Sequence, residues 1–271
     1  MSTCRKLYLS ACLASAFGLM FGVPTAKAQD SGTAKPATQV EDPPPSDDGW
    51  HVAVTPYVWF AGVHGDVGTH GLEASVHASF SDIFSYVNIG AMGVVELRYN
   101  RIVMPIDVMW IKLSDNKALP FDHVADSIKT KFNETMFTPK IGYRLVDEKR
   151  FKVDAVFGLR YWHLGNTLTL QPTPLGGGVY DSANWVDAVG GAKFEALLTP
   201  KIVMTIFGDA GGGGAHSDYQ VGGVLGLRVR KKVILQLGYR YVDVNYRPQQ
   251  STFLYDIAQS GIVLGATINL K

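Results

Sequence analysis

The chain contains the stretch Gly261-Ile262-Val263-Leu264-Gly265-Ala266-Thr267-Ile268-Asn269-Leu270-Lys271. Successive side chains of an extended strand point to opposite sides. Every even-numbered residue here is apolar, whereas the odd-numbered residues include Thr267, Asn269 and Lys271. The same two-sided pattern recurs from Trp50 onward. Repeated strands of this kind are typical of membrane barrels, so the sequence predicts an all-β fold: a single antiparallel up-and-down transmembrane barrel of a Gram-negative outer membrane.

The first 49 residues are expected to lie outside the barrel. Residues 1–28 have the features of a cleaved signal peptide, because Arg5 and Lys6 precede an apolar run that ends in Ala26-Lys27-Ala28. A membrane anchor is the alternative, but it needs about 20 apolar residues and this run is shorter. Residues 29–49 are rich in proline and almost free of large apolar side chains, which predicts a disordered periplasmic leader. The barrel is expected over residues 50–271.

The composition excludes several classes of function. Both cysteines, Cys4 and Cys12, lie in the predicted signal peptide, so the mature chain can form neither a disulfide nor a thiolate metal site. Removal of Arg5, Lys6 and Lys27 changes 25 basic against 24 acidic residues to 22 against 24, a net charge of −2. Such a chain has no general field that attracts phosphates, so no nucleic-acid partner is expected.

Short and long breaks alternate between the predicted strands, as in barrels with tight periplasmic turns and free extracellular loops. The number of amphipathic segments between these breaks predicts about ten membrane-crossing strands, with about eight or about twelve as alternatives. Runs of glycine at residues 176–178 and 211–214 are predicted to be flexible loop tips. The short breaks are residues 99–101, 147–150, 199–201 and 230–232, and the long breaks are residues 64–87, 114–123, 171–183 and 211–217.

Charged residues recur on the more polar face of the predicted strands. A charge facing lipid at the midplane would cost about 2 to 4 kcal/mol for Arg or Lys, so these residues are expected to face a polar lumen. Two arrangements remain open: the charges pair and fill the lumen, or an excess of basic residues, eight against five acidic, lines a narrow path that weakly prefers anions. The expected lumen-lining residues are Glu96, Arg98, Asp107, Lys140, Arg144, Asp154, Arg160, Lys193, Glu195, Asp209, Arg228, Arg230 and Arg240.

A soluble lipocalin-like barrel or a sandwich would also have alternating strands, but with an apolar inside. Amphipathic runs of about ten or more residues suit a bilayer-spanning strand and exceed the usual length of strands in soluble proteins. Tyr99, Tyr143, Tyr239 and Trp110 are placed near the predicted interfaces, where amphipathic rings are stable. The membrane barrel is therefore favoured.

The sequence carries no motif that indicates catalysis. The histidines lie mostly in predicted loops, and none belongs to a lipase-like or serine-hydrolase motif. His216-Ser217-Asp218 is consecutive, so its side chains would diverge on a strand. No closely spaced histidine pair indicates a metal site. We therefore expect no enzymatic activity, no cofactor and no metal.

Residues 80–87 are the most unusual of the predicted loop segments. Ser81 is expected to cap a short helix after a strand, and Phe80, Phe84 and Tyr86 are bulky. The segment either folds inward as a constriction or packs as a loop on the rim, and the second arrangement is favoured.

Several short motifs carry a resemblance to a known group of proteins. They are Trp50, Thr55-Pro56-Tyr57-Val58-Trp59, Gly62, Phe80-Ser81-Asp82-Ile83, Gly208-Asp209, Gly238-Tyr239-Arg240-Tyr241-Val242-Asp243-Val244 and Gly265. Together they resemble a family of uncharacterised Gram-negative outer-membrane barrels, similar to small OmpA/OmpW-like barrels. The resemblance implies a monomer in the outer membrane that is inserted by the barrel assembly machinery, although Leu270-Lys271 stands where such barrels typically have a terminal aromatic residue.

The leading hypothesis is a non-enzymatic barrel that acts as a narrow channel for small solutes or as a structural component of the membrane. Outer-membrane lipid and small solutes are then its expected partners. A surface-binding or adhesion role through the long external loops is the second hypothesis, and a lipid-modifying enzyme is the third.

Overall fold

The computed structural model describes residues 49–69, 72–118, 127–171, 179–248 and 253–270. The predicted signal peptide and residues 29–48 of the predicted leader lie outside this part of the chain. No helix within it is both long and apolar enough to cross a membrane. The elements are β1 (Trp50–Thr69), β2 (Leu72–Ala78), α1 (Phe80–Phe84), β3 (Val87–Tyr99), β4 (Ile102–Ala118), β5 (Ser127–Asp147), β6 (Phe151–Gln171), β7 (Val179–Thr199), β8 (Ile202–Gly213), β9 (Ser217–Arg230), β10 (Val233–Tyr246) and β11 (Leu254–Asn269).

Ten of these strands form one closed antiparallel sheet. Sequence neighbours are also sheet neighbours from β3 to β11, and β1 pairs with both β3 and β11, which closes the ring. In the described residues β2 pairs with β1 alone, so it is not part of the ring. The prediction of an all-β, antiparallel up-and-down barrel of about ten strands is confirmed.

A belt of apolar side chains surrounds the outside of the barrel. Aromatic residues lie at both ends of this belt: Trp50 and Tyr99 at one end, with ring centroids 5.2 Å apart, and Tyr219 and Tyr241 at the other, 6.0 Å apart. Between the two ends the belt includes Val58, Ile141, Phe157, Leu159, Val221, Leu225, Leu237, Ile262 and Leu264, all of them exposed.

The four predicted short breaks coincide with tight turns, which join β3 to β4, β5 to β6, β7 to β8 and β9 to β10. Asn100 in the first turn has φ 51°, a left-handed conformation that Asn adopts more readily than most residues. β1 begins and β11 ends at this same end, since Val54 pairs with Ile268. We call it the turn end and the opposite end the loop end.

The loop end is more regular than the sequence predicts. β1 continues to Thr69 and forms a hairpin with β2, which occupies much of the predicted break at residues 64–87. Residues 211–213 belong to β8, so their prediction as a flexible loop tip is wrong. The glycines allow close strand approach, because a Cβ on Gly211 would overlap the carbonyl oxygen of Ala188 on β7. Residues 119–123 and 172–178, which include the other glycine run, lie outside the described residues.

α1 is a short helix at the barrel wall. Ser79 caps it, rather than Ser81 as predicted: Ser79 Oγ accepts from the Asp82 N–H at 3.3 Å, and Asp82 accepts from the Ser79 N–H at 2.9 Å. The Ser79 hydroxyl also lies 2.6 Å from the Asp82 carboxylate, and its donation to that carboxylate, together with that of the Ser79 N–H, holds the pKa of Asp82 below its ordinary value. The Phe80 ring meets the Phe60 ring of β1 edge-on, with centroids 4.7 Å apart. Because Phe60 is on the outward side of β1, the helix packs on the wall and not in the middle of the lumen.

We expect replacement of Gly261 by valine to disrupt the pairing of β1 with β11. A Cβ on Gly261 would overlap the carbonyl oxygen of Phe60, and overpacking of this kind costs about 1 to 3 kcal/mol. The folded fraction of Gly261→Val in a heat-modifiability gel should therefore fall. Gly223→Val is the control, because a Cβ on Gly223 has its nearest neighbour at 3.8 Å. Equal folded fractions for the two variants would contradict the close approach of β1 and β11 at Gly261.

Candidate functional site in the barrel interior

A layer of charged and polar side chains crosses the middle of the barrel. Three acidic and three basic residues belong to it, so its formal charges balance. Neutral Tyr57, Thr138, Trp162 and Gln220 add further hydrogen bonds, and Nε of Arg240 is left without a partner within the described structure. We call it the central polar layer, and its charged members are Asp107, Lys140, Arg160, Asp209, Asp218 and Arg240.

Arg160 on β6 is completely buried and holds one half of the layer together. Its two terminal nitrogens donate to Asp209 on β8 and to Asp218 on β9, each at 2.5 Å. Its Nε donates to the hydroxyl of Thr138 on β5 at 3.3 Å. Asp218 also accepts from the indole N–H of Trp162 at 2.8 Å. One guanidinium group thus connects four strands of the wall through charge-assisted hydrogen bonds.

Arg240 on β10 holds the other half of the layer. Its Nη2 lies 2.9 Å from the Asp107 carboxylate on β4 and donates to Gln220 on β9 at 2.7 Å. Its Nη1 donates to the hydroxyl of Tyr57 on β1 at 2.9 Å, and that hydroxyl donates to Asp107 at 2.8 Å. Gln220 donates to Asp209 at 2.6 Å, which joins the two halves into one network.

A second cluster of ion pairs lies between the layer and the turn end. Arg144 on β5 donates to Asp154 on β6 at 2.7 Å, and Asp154 also lies 3.5 Å from Nζ of Lys193 on β7. Lys193 in turn donates to Glu96 on β3. These groups line a cavity of about 520 Å³, which we call the turn-end cavity.

The structure places most of the expected lumen-lining residues on the inner side of the wall. Arg160 is buried within the central polar layer. Arg230 differs from the expectation, because it is exposed at the turn between β9 and β10, beside a register shift at Val233 and Ile234. Eleven of the expected residues line the turn-end cavity: Glu96, Arg98, Asp107, Lys140, Arg144, Asp154, Lys193, Glu195, Asp209, Arg228 and Arg240.

An apolar chamber of about 720 Å³ lies on the loop-end side of the layer. Its lining comes mainly from β1, β2, α1, β3, β4 and β11. Tyr57 borders both this chamber and the turn-end cavity, so the central polar layer separates the two. Apolar side chains that line the chamber include Met92, Met109, Leu113, Phe132 and Ile257.

The chamber also contains a few polar groups. Glu134 is buried and accepts hydrogen bonds from the Gln259 amide at 2.8 Å and from the Tyr255 hydroxyl at 3.4 Å. Three buried polar atoms among the lining residues have no hydrogen-bond partner within the described structure: the indole N–H of Trp59, Oδ1 of Asn166 and Oε1 of Gln259. Buried polar atoms normally have a partner, so residues of the chamber lining offer one unpaired donor and two unpaired acceptors in apolar surroundings.

Sequence reasoning missed Asp218 and Glu134. Glu134 has the same alternation parity along β5 as Lys140 and Arg144, so an earlier start of that strand would have placed it inside. Asp218 directly follows a predicted loop, whereas β9 already begins at Ser217. Both omissions come from misplaced strand boundaries rather than from an unusual local signal.

Three histidines, His64, His77 and His216, lie at the loop end, away from this layer, whereas His51 borders the turn-end cavity. His64 and His77 face each other on the hairpin of β1 and β2, with their Nδ1 atoms 2.8 Å apart and both side chains exposed. His216 is exposed just before β9. In the described part of the chain, no group of three or more His, Cys, Asp or Glu side chains is arranged to hold a metal ion. His70 and His123 are outside that part.

We expect Arg160→Met to destabilise the barrel strongly. The variant leaves the buried Asp209 and Asp218 without their shared counter-ion, and breaking a buried pair costs about 3 to 5 kcal/mol. Lys152→Met is the matched control, because the Lys152–Glu195 pair is 3.8 Å long with both side chains about one-third exposed, and such pairs contribute about 0 to 1 kcal/mol. Urea unfolding of the refolded proteins in lipid vesicles measures both effects, and similar losses of stability would refute the assigned role of Arg160.

The comparisons with known proteins concern the barrel fold. No protein-family model matches the chain, and no curated protein matches it. Among solved structures, the chain is similar to the outer-membrane protein Ail of Yersinia pestis, crystallised with a heparin analogue (TM-score 0.38, 11% identity, 82% of this chain and 99% of that chain). It is also similar to the toluene transporter TbuX of Ralstonia pickettii (0.36, 8%, 82% and 89%) and to the translocator domain of the autotransporter NalP from Neisseria meningitidis (0.34, 12%, 81% and 87%). These neighbours are outer-membrane β-barrels.

Proposed function

We propose that this protein is a non-enzymatic outer-membrane barrel that binds small, mainly apolar solutes in its loop-end chamber. The main observation behind this proposal is the apolar chamber of about 720 Å³ on the loop-end side of the central polar layer. The central polar layer then acts as a barrier to ions between the chamber and the turn-end cavity. Outer-membrane lipid surrounds the belt.

The outside of the barrel supports residence in a bilayer. A transmembrane β-strand needs about 9 to 11 residues, and the shortest strand of the ring, β8, has 12. The outward side chains form an apolar belt with aromatic residues at both ends, as at the two interfaces of a membrane barrel. A soluble barrel would instead place its apolar side chains inside and its charges outside.

The chamber supports binding of a small apolar molecule. Ligand sites are typically about 300 to 1,000 Å³, mostly apolar, with a few placed polar groups, and a chamber of about 720 Å³ lies within that range. The unpaired indole N–H of Trp59 and the unpaired amide oxygens of Asn166 and Gln259 favour a ligand that carries a hydroxyl group, which both donates and accepts. An aromatic alcohol has this chemistry.

The central polar layer supports the ion barrier. Its charged groups are paired with each other across the lumen, and Arg160, Asp209, Asp218 and Arg240 are buried. A free ion that entered the layer would have to displace these pairs, at a high cost in a medium of low dielectric constant. The balanced, paired layer therefore favours a filled lumen over a permanently open anion path.

We expect the refolded barrel in nanodiscs to bind 1-naphthol, measured by calorimetric titration with empty nanodiscs subtracted. Leu113→Trp adds volume inside the chamber and should weaken binding about tenfold, which corresponds to about 1.4 kcal/mol. Val108→Trp is the matched control on the same strand, because Val108 is exposed on the outward side. Equal affinities for Leu113→Trp and Val108→Trp would place any binding outside the chamber and refute the proposal.

The ion barrier has a separate test in planar bilayers. Arg240→Ala combined with Asp107→Ala removes both members of one pair, so it leaves no new buried charge. We expect few or no conductance steps for the unaltered protein and clear steps for this double variant, because the space becomes available to water. Lys152→Ala with Glu195→Ala is the control, since this pair is partly exposed near the turn end. Large conductance in the unaltered barrel would show that the layer does not close the lumen.

A further inference from the structure

The wall of the barrel is not continuously paired between β1 and β3. Their pairing runs from Trp50 with Tyr99 to Pro56 with Gly93 and stops there. β1 pairs with β2 from Val63 onward. In the described structure, residues 57–62 of β1 therefore pair with β11 alone, and residues 87–92 of β3 pair with β4 alone. We call this unpaired stretch the wall gap.

Local sequence explains where the gap begins and what bounds it. Pro56, in the last pair, has no N–H to donate to a neighbouring strand. At the loop-end side the gap is bounded by the start of α1, because a Cβ on Gly62 would meet backbone atoms of Ala78, Ser79 and Phe80 within 3.6 Å. From Val63 onward β1 thus pairs with β2 in place of β3.

The wall gap lies within the apolar belt. Val58 pairs with Leu264 and Phe60 pairs with Ile262 on β11, and both partners belong to the belt. Val58 on one edge of the gap and Ile89 on the other are each 53% exposed. The gap is therefore at the depth of the hydrocarbon region in the proposed orientation.

The gap also opens into the chamber. Val58 points outward, yet it is one of the residues that line the chamber. On the opposite edge the chamber reaches Gly90, which has no side chain to obstruct the opening, and on the loop-end edge it reaches Phe80 and Ile83 of α1. The chamber is thus continuous with the outward face of the wall at this position.

We propose that the wall gap is a lateral portal through which small apolar molecules dissolved in the membrane reach the chamber. This inference rests on the proposed function, and it adds the source of the ligand and its route. Unpaired backbone facing lipid is costly, and irregular backbone at membrane depth is tolerated only where it is buried in protein or lines a water-filled cavity. Both edges of the gap border the chamber. Val58, Ile89 and α1 form the rim of the portal.

The test measures access to a cysteine inside the chamber. Both natural cysteines lie at Cys4 and Cys12, before the barrel, so barrel variants of residues 29–271 contain no background thiol. Ile111→Cys places a thiol in the chamber on β4, one strand beyond the gap. N-(1-pyrenyl)maleimide, which partitions into the bilayer, and a charged methanethiosulfonate added in water are the two probes. Labelling rates are measured in vesicles of phosphatidylcholine with the refolded barrel.

Val58→Trp should slow labelling by the pyrene reagent several-fold, because it fills the portal from the lipid side. Ile89→Trp on the other edge should do the same, and it provides a second variant if the first folds poorly. Val221→Trp is the control, since Val221 is exposed to a similar degree, 50%, on the distant strand β9. The rate with the charged reagent should be the same in all variants.

Pyrene labelling that is unchanged in both Val58→Trp and Ile89→Trp would overturn the portal. Failure of the portal and failure of the chamber are distinguishable. If 1-naphthol still binds and Leu113→Trp still lowers its affinity, the chamber remains the binding site and the ligand reaches it through the loop end. If 1-naphthol does not bind at all, the proposed function itself is wrong.

Discussion

The rest of the interior depends on the way in which Arg160 shares its charge between Asp209 and Asp218. These three groups are buried and come from three different strands, and an unpaired charge in the lumen would cost several kcal/mol. Lys140 also pairs with Asp209, whereas Arg160 is the cation that Asp218 pairs with in the described residues. The pairing fixes the middle of the barrel as a dense polar layer. That layer divides the lumen into an apolar chamber and a charged cavity, so one half suits apolar groups and the other suits charged groups.

Much of this arrangement follows from alternation along single strands. The side-chain period of two is a local property, so the inward direction of Lys140, Arg144 and Arg240 could be predicted from residues two positions away. The capping box of Ser79 and Asp82 was equally readable, since a serine three residues before an acidic residue is a recognised helix start. Ser81 has the same side chain but lies inside the first turn of α1, so it cannot cap the helix.

Other features are not contained in any local pattern. Which carboxylate meets Arg160 depends on the registers of β6, β8 and β9, which are set by many cross-strand pairs together. The same holds for β2, since a short strand that pairs with only one neighbour resembles a loop in its sequence. Pro56 is a local signal that pairing could stop, but the fate of the neighbouring edge depends on where β2 and α1 lie.

The chamber and the wall gap belong together for a thermodynamic reason. An apolar molecule gains about 0.8 kcal/mol for each CH₂ group that it moves from water into an apolar phase, so the bilayer holds it at a far higher concentration than the surrounding water does. A route from the loop end would draw on the dilute source, whereas a route through the wall at Val58 draws on the concentrated one. The central polar layer adds the complementary property, because its paired charges oppose the passage of ions while the wall admits apolar molecules from the side.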